Sequence, residues 1–476
     1  MLQQNDETPM TLSAVRRPRS GGRRRFLRQM LATVAAPALA GCSLFDDDEK
    51  PILAGHRTNV LNTRNGLVVT KNDGTLTPIS IPATTSVTEW PIAGRIPSHI
   101  SANYAWGGLH KRWSQSIGHG NSEPDFLAFA ALGSSGRGVI QAQPVLHEGR
   151  LFTVDAVGEV RAYSWPAMKE LWHLNAKPRS VKSSNLGGGL GASGNTLYIV
   201  DGVSQTVAVD TATGNVKWRM TAGTPGRSAP TIANGRVFFG TIDEKLYALD
   251  ANTGHELWSY SASQADTVMF GQPAPTVVDG IVLCGFGSGD LVALREESGE
   301  VVWSDTLGSA NGQTSALDFS CVRSMPVVVA GTAYAMSVAS VLVAIDMRSG
   351  RRLWERAVAG QSPLLSVNDW LFLLSMDEQV ACVDRQTGQV RWITQLRRYR
   401  RVDASKDGVV WTGPVLAGGK LVCVSTLPEN GIVTLDPLTG KILTIDKLPN
   451  ATSVQPIVVD GQLLVLDDVG NLTSYG

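Results

Sequence analysis

One phrase constrains this chain more than any other feature. "LYALDANTGHELW", Leu246 to Trp258, has a counterpart about forty residues earlier in "VAVDTATGNVKW" and another further on in "LVALREESGEVVW". Aligned, the copies read Asp210, Thr213, Gly214, Trp218; Asp250, Thr253, Gly254, Trp258; Arg295, Ser298, Gly299, Trp303; Asp346, Ser349, Gly350, Trp354; and Asp384, Thr387, Gly388, Trp392. Another copy has Asp436, Thr439 and Gly440 but Thr444 in place of Trp, and a weaker one ends at Trp172 with Ser164 and Met168 in the Asp and Gly places. A period of roughly 40 to 50 residues is that of one propeller blade.

A second phrase precedes most copies, a Pro followed five residues later by Gly, as in Pro230 and Gly235 or Pro275 and Gly280, with Asn368 in the Gly place after Pro363. Runs such as "RVFFGT" and "KLYALD" alternate with period two, and Asn234-Gly235, Asp279-Gly280 and Asp460-Gly461 are hairpin signals. Each unit is therefore four strands: A from the Pro, B and C after the hairpin, and D carrying the Trp. The Asp and Thr side chains hold the turn before D, the Gly takes a positive φ, and the Trp projects from D. A buried Trp covers roughly 150 to 250 Å², so the phrase reads mainly as a fastening between blades.

Seven D strands fall at Trp172, Trp218, Trp258, Trp303, Trp354, Trp392 and Thr444, and an eighth set of strands runs to Gly476 without a D strand of its own. "KRWSQSIG", Lys111 to Gly118, supplies it, with Trp113 in the Trp place. The expected fold is all-β: an eight-bladed β-propeller of four-stranded antiparallel blades, closed by an N-terminal strand in the last blade, which removes the free sheet edges.

Ahead of the ring lies a leader. Arg16 to Arg28 holds seven arginines, and the apolar stretch Met30 to Ala40 is shorter than the about 20 residues a membrane span needs. A basic segment, a short apolar segment and small residues before a cleavage point make an export signal, and here the point reads "LAGC", Leu39 to Cys42. The expected divisions are 1–41 signal peptide, 42–110 linker and extended arm, and 111–476 propeller. "RRRFLR", Arg23 to Arg28, also resembles a twin-arginine signal, so both the general and the twin-arginine export routes are open.

The whole chain balances 42 basic against 42 acidic residues. The leader holds seven of the former and two of the latter, leaving a mildly acidic mature protein with 35 against 40. That argues against nucleic acid as a partner. Cys284, Cys321, Cys382 and Cys423 lie in or beside apolar strands without metal-ligand spacing and read as buried free thiols. The seven histidines form no ligand spacing either, so neither a metal nor a cofactor is expected.

The A-x-D-x-x-T-G-x-x-x-W phrase resembles the tryptophan-docking motif of quinoprotein-type eight-bladed propellers. Two classes share it: pyrroloquinoline-quinone dehydrogenases and the BamB-type lipoproteins of the outer-membrane β-barrel assembly machine. The alcohol-type dehydrogenases carry a vicinal Cys-Cys pair and often a C-x-x-C-H segment; this chain has neither. "LAGC", the following "DDDEK", the blade count and the arm "LAGHRTNVL" with "WPIAGRIPSH" resemble BamB-type factors over nearly the whole chain. A propeller lipoprotein serving some other periplasmic ligand would share every feature except the partner.

The resemblance implies a non-enzymatic scaffold acylated at Cys42, with Ser43 after it directing the chain to the periplasmic face of the outer membrane. It implies as partners the periplasmic domains of BamA, the machine's barrel subunit, with other subunits and unfolded outer-membrane clients. In this family the contact lies on loops joining successive blades, which here are "ADTVMFGQPAP" and "ALDFSCVRSMP". Met269 and Phe270 are apolar in a stretch expected at the surface. The second segment departs from the family's Asp pair before the Pro: it has Cys321 and Arg323, with Asp318 nearby. A third connection holds Arg397, Arg398, Arg400 and Arg401 around Tyr399. It reads equally as a solvated basic loop or as a surface facing an acidic partner or anionic head groups.

Overall fold

Every copy of the repeat forms a four-stranded antiparallel meander in the computed structural model, which describes residues 66–70, 77–121, 140–178, 187–265, 271–308 and 320–476. Blade 3 is representative: A is Thr231–Ala233, B Arg236–Gly240, C Lys245–Asp250 and D Glu256–Ser261. The A–B turn has positive φ at both Asn234 and Gly235, the geometry that an Asn-Gly hairpin favours. Strand C, "KLYALD", is buried through its middle four residues, because both faces of a blade pack on neighbours, whereas D alternates and leaves its outer side to solvent. Eight such sheets form the propeller ring, and blade 8 joins Ile457–Val459, Gln462–Leu466 and Asn471–Tyr475 to Lys111–Ser116 as its D strand. The closing strand is held antiparallel to Asn471–Tyr475, with Ser114 opposite Thr473 and their hydroxyls 2.8 Å apart.

The repeated turn has one job at six successive junctions. The indole N–H of each Trp donates to a backbone carbonyl in the C–D turn of the next blade: Trp172 to Thr211, Trp218 to Ala251, Trp258 to Glu296, Trp303 to Met347, Trp354 to Arg385 and Trp392 to Pro437, at 2.7 to 3.0 Å. The ring itself lies on the turn's glycine. A Cβ built at Gly299 would stand 2.7 Å from the Trp258 ring, and Gly299 also has φ +73°, so both backbone conformation and close approach exclude a side chain there. Asp250 prepares the turn by accepting from the N–H groups of Asn252 and Thr253 and from the Thr253 hydroxyl. Those bonds, the hydroxyl's first, hold its carboxyl below the usual range.

The two exceptions are neighbours. Blade 8 has no continuous C–D turn, since its C and D strands come from opposite parts of the chain, so blade 7 faces no glycine for an indole to meet. Thr444 stands there instead and shares a hydroxyl hydrogen bond with Thr434 of its own blade. From blade 8, Trp113 meets Trp165 of blade 1 edge to face at 6.1 Å, and Met168 takes the positive φ that glycine takes elsewhere.

Strand A lines the axis and in most blades is three residues long, which leaves its inner N–H and C=O groups to be satisfied from outside the sheet. The arm before the propeller supplies the partners. Trp90 exchanges backbone bonds with Leu146 of blade 1, Pro91 accepts from Ala192 of blade 2, Pro97 from Val277 of blade 4 and Ser98 from Val328 of blade 5. Ser101 donates to Ser366 of blade 6, Tyr104 bonds Leu416 and Gly418 of blade 7, and Val87 and Gly107 reach Asp460 and Gly461 of blade 8. Residues 87–107 thus coil through the axis and bond seven of the eight blades. His99 is fully enclosed there. Its Nδ1–H donates to the Pro326 carbonyl at 2.9 Å, and burial pushes its pKa down to about 4.

Trp258→Ala is expected to destabilise the ring by roughly 3 to 5 kcal/mol, the usual cost of deleting a core aromatic, read as a fall in melting temperature. Thr444→Trp should bring no gain, since no receiving turn exists. His99 has the opposite dependence to a paired histidine. The unfolded chain binds a proton below about pH 6.5 and the folded chain only below about 4, so stability falls as pH drops between those values. His99→Gln should flatten that slope in denaturation curves taken from pH 7 to 4.

Candidate functional site

The residues just ahead of strand A, where each D strand hands over to the next blade, converge on the axis. They wall a cup of about 450 Å³ that opens on the face of the D–A connections and has Ala93 of the arm in its lining. A run of glutamines sets its chemistry. Gln143 and Gln272 immediately precede prolines, as does Gln455, while Gln361 stands two residues ahead of Pro363. Pro144 and Pro456 lead directly into strand A of blades 1 and 8, whereas Pro273 lies three residues before strand A of blade 4 begins at Thr276. Gln143 donates to the Gln455 carbonyl at 3.1 Å, and Gln272 to that of Gly285 at 3.4 Å.

Two arginines complete the wall. Arg323 donates Nη1–H to Oε1 of Gln361 at 2.7 Å, and Gly271, with φ +83°, leaves the space beside its Nη2. Burial lowers the pKa of the Arg323 guanidinium, and the same cause acts on Arg227. Arg227 lies within electrostatic reach of Glu244, whose carboxyl burial raises and whose Oε2 accepts the Gly287 N–H at 2.7 Å. The cup lining holds no carboxylate, thiol or imidazole among the described residues.

Arg398 and Tyr399 stand elsewhere on the same face. The basic connection between blades 6 and 7 is a two-stranded hairpin, Tyr399–Arg401 with Lys406–Gly408, and much of its charge is used internally. Arg398 pairs with Asp377 at 3.0 Å and packs over the Tyr399 ring, and Arg401 pairs with Asp407 at 2.9 Å. Arg397 bonds the Tyr399 and Arg400 carbonyls. At the hairpin root Glu378 accepts the Trp411 N–H at 3.1 Å, and burial pushes its carboxyl up to about 8.

Met269, Phe270, Asp318 and Cys42 lie outside the described residues. The four cysteines within them are buried and unbonded to one another, and burial raises each thiol's pKa, that of Cys321 to about 11. Among the described residues, one group could hold a cation by geometry, His119, Asp155 and Glu159. Arg161 already serves there, at 2.6 Å from Glu159 and 3.4 Å from Asp155, and Asp155 also accepts three backbone N–H groups. That cluster fastens the closing strand's exit to blade 1.

The family described as outer membrane protein assembly factor BamB matches residues 156–394, half of the chain. Outer membrane protein assembly factor BamB of Moranella endobia is 24% identical over 311 residues, covering 63% of this chain and 76% of that protein. Among solved structures, BamB from Moraxella catarrhalis superposes with a TM-score of 0.64 at 21% identity, covering 77% of this chain and 99% of that one. A quinohemoprotein alcohol dehydrogenase from Comamonas testosteroni shares the fold as well, with a TM-score of 0.60 at 12% identity over 81% of this chain and 80% of that one.

Glu378→Gln keeps an acceptor for Trp411 and removes a titration. The folded chain holds a proton on Glu378 up to about pH 8 that the unfolded chain releases near its ordinary value of 4.5, so this group makes stability fall as pH rises through that window. The variant should lose that part of the fall in melting curves recorded from pH 5 to 8.

Proposed function

The chain belongs to the BamB family of outer-membrane protein assembly factors, and we propose that it works as a non-enzymatic scaffold lipoprotein of the β-barrel assembly machinery. In this reading it binds the periplasmic domains of BamA on the face of the D–A connections and so assists folding and insertion of outer-membrane proteins.

The observation that carries the reading is the difference between the two faces. One face is drawn together by tight A–B and C–D turns, with the arm coiled through the axis. The other carries the long connections, the basic hairpin and the open cup. Amides and guanidinium groups suit the cup to holding a polar surface rather than to moving a proton or a bond. Cys42, in "LAGC", would carry the acyl chains that hold the protein at the periplasmic face of the outer membrane. Two or three chains, at about 0.8 kcal/mol per buried CH₂, anchor durably. No helix among the described residues is long and apolar enough to cross a membrane.

Crosslinked co-purification of the chain from its own envelope should recover BamA. Recovery of a reductase or cytochrome instead would overturn the reading. Mass spectrometry should find an acylated Cys42 at the mature N-terminus, and Cys42→Ala should release the protein from the membrane fraction. Phe270→Asp should reduce BamA recovery at unchanged melting temperature.

A further inference from the structure

We infer that the outer wall of blades 5 and 6 lies against the phospholipid head groups of the membrane that holds the acyl anchor. This rests on the acylation of Cys42 proposed above and says which side of the ring that anchor brings to the bilayer. The argument begins with the chain ahead of the arm. Gly66 donates to the Ala357 carbonyl at 2.6 Å, just past strand D of blade 5 (Arg352–Arg356). Thr70 donates to the Val390 carbonyl at 2.8 Å, where strand D of blade 6 (Val390–Gln395) begins. Leu67 is buried in the cluster that holds Val358 and Val390, and a Cβ built at Gly66 would stand 2.9 Å from Ala357, so this segment lies directly on the two blades. Residues 77–82 then carry the chain inward. The Thr77 carbonyl accepts from Arg391, Ile79 and Ile81 pack on the core shared by blades 6 and 7, and the Pro82 carbonyl accepts from Asn103 of the arm at 2.9 Å.

A chain that entered the axis straight from its tether would hang from the centre of the ring. This one is pinned to the outer wall first, so a pull on the tether is taken up at Gly66. Residues 43–65 separate Cys42 from that point, and any other side of the ring reaches the bilayer only if the tether also passes round the molecule. The effective concentration of head groups is therefore highest at the wall of blades 5 and 6.

The wall has side chains that suit such a surface. Val68 is 73% exposed and Leu353, on strand D of blade 5, 46%. Arg348 and Arg351, in the turn before that strand, are exposed as well. The carboxylates beside them are engaged: Asp305 and Glu355 both pair with Arg352, at 2.7 and 2.6 Å, and Asp346 accepts the Ser349 N–H and hydroxyl. Apolar side chains beside guanidinium groups lodge at a head-group layer, the former toward the acyl boundary and the latter on phosphate. With this wall toward the membrane, the propeller axis runs along the bilayer and both faces of the ring stay clear of it.

The test uses the mature acylated chain from its own envelope, on vesicles of phosphatidylethanolamine and phosphatidylglycerol with a nitroxide on some head groups. A fluorophore is placed by Val68→Cys, by Leu353→Cys and, as the control, by Val216→Cys on the far side of the ring, in strand D of blade 2. The four cysteines of the ring are buried and stay unlabelled. The fluorophores at 68 and 353 should be quenched several-fold more strongly than the one at 216. Leu67→Asp should erase most of that difference while the chain stays on the vesicles and still melts as a folded ring. Arg348→Glu with Arg351→Glu should weaken the quenching at 68 and 353 at unchanged melting temperature, and Arg348→Lys with Arg351→Lys should retain it.

Equal quenching at all three sites, or none at 68 and 353, overturns the membrane-facing wall and leaves the anchor standing. If these two fluorophores respond to added BamA domains and not to the nitroxide, the wall is a protein surface and the lipid contact is excluded. An unmodified N-terminal residue in the same preparation, found by mass spectrometry, removes the anchor and the wall together.

Discussion

The ring depends on an indole lying flat on a glycine. The contact joins two requirements that no other pair of residue types meets together. The turn needs a residue at φ near +73°, and the neighbouring indole needs that residue to have no side chain, as at Gly214, Gly254 and Gly299. The indole N–H then closes onto a carbonyl of the same turn, satisfying a group that would otherwise be buried alone. Beneath several of the tryptophans an aromatic from strand B completes the stack, such as Phe238 under Trp258 at 5.9 Å. Because six successive junctions use the same geometry, the angle between those blades is fixed locally and repeated, and most of the ring follows from one contact.

Where that contact is absent, something else bridges the gap. Blade 8 lacks a receiving turn, and the arm is the element that visits both sides of the break: Tyr104 bonds blade 7, while Gly107 and the Trp106 indole bond blade 8 at Gly461 and Tyr475. The axial coil therefore does more than satisfy the inner edges of the A strands. It ties the two blades of the junction without a docked tryptophan to five others, blades 1, 2, 4, 5 and 6. Its Ala93 also lines the cup that opens on the opposite face, so that the cup and the seam share one segment of chain.

Much of this was legible in the sequence because it is periodic. The blade number, the closing strand at Lys111 and the D strand without a tryptophan at Thr444 all follow from counting copies, and the structure has them in those places. The cup was present in the sequence too, as a glutamine directly before the prolines of blades 1 and 8 and another three residues before that of blade 4, but strand periodicity gives no weight to a residue outside the strand. The path of "WPIAGRIPSHISANYAW" has no periodic signal, since its partners lie as far away as Tyr475 and no local pattern records them. The basic cluster shows a third kind of limit. Four neighbouring charges are visible in a sequence, whereas the partner of Arg398, Asp377, sits in another turn. Of the expected contact residues, Met269, Phe270 and Asp318 fall outside the described residues, and Arg323 stands in the cup wall.

The arm's position has a consequence for how the molecule comes to be. Residues 87–107 are synthesised before any complete blade, yet they complete their bonds only when Asp460 and Gly461, near the end of the chain, are in place. Contacts spanning more than three hundred residues, such as Trp106 with Tyr475, carry the highest loop-closure cost in the molecule. This early-made segment is thus among the last to reach its native place, and until then the A strands present their inner edges to whatever else is nearby. Blades can stack pairwise as they appear, each on the tryptophan before it. The ring becomes a ring only when the whole chain has arrived, which makes its assembly a single late event rather than the sum of eight early ones.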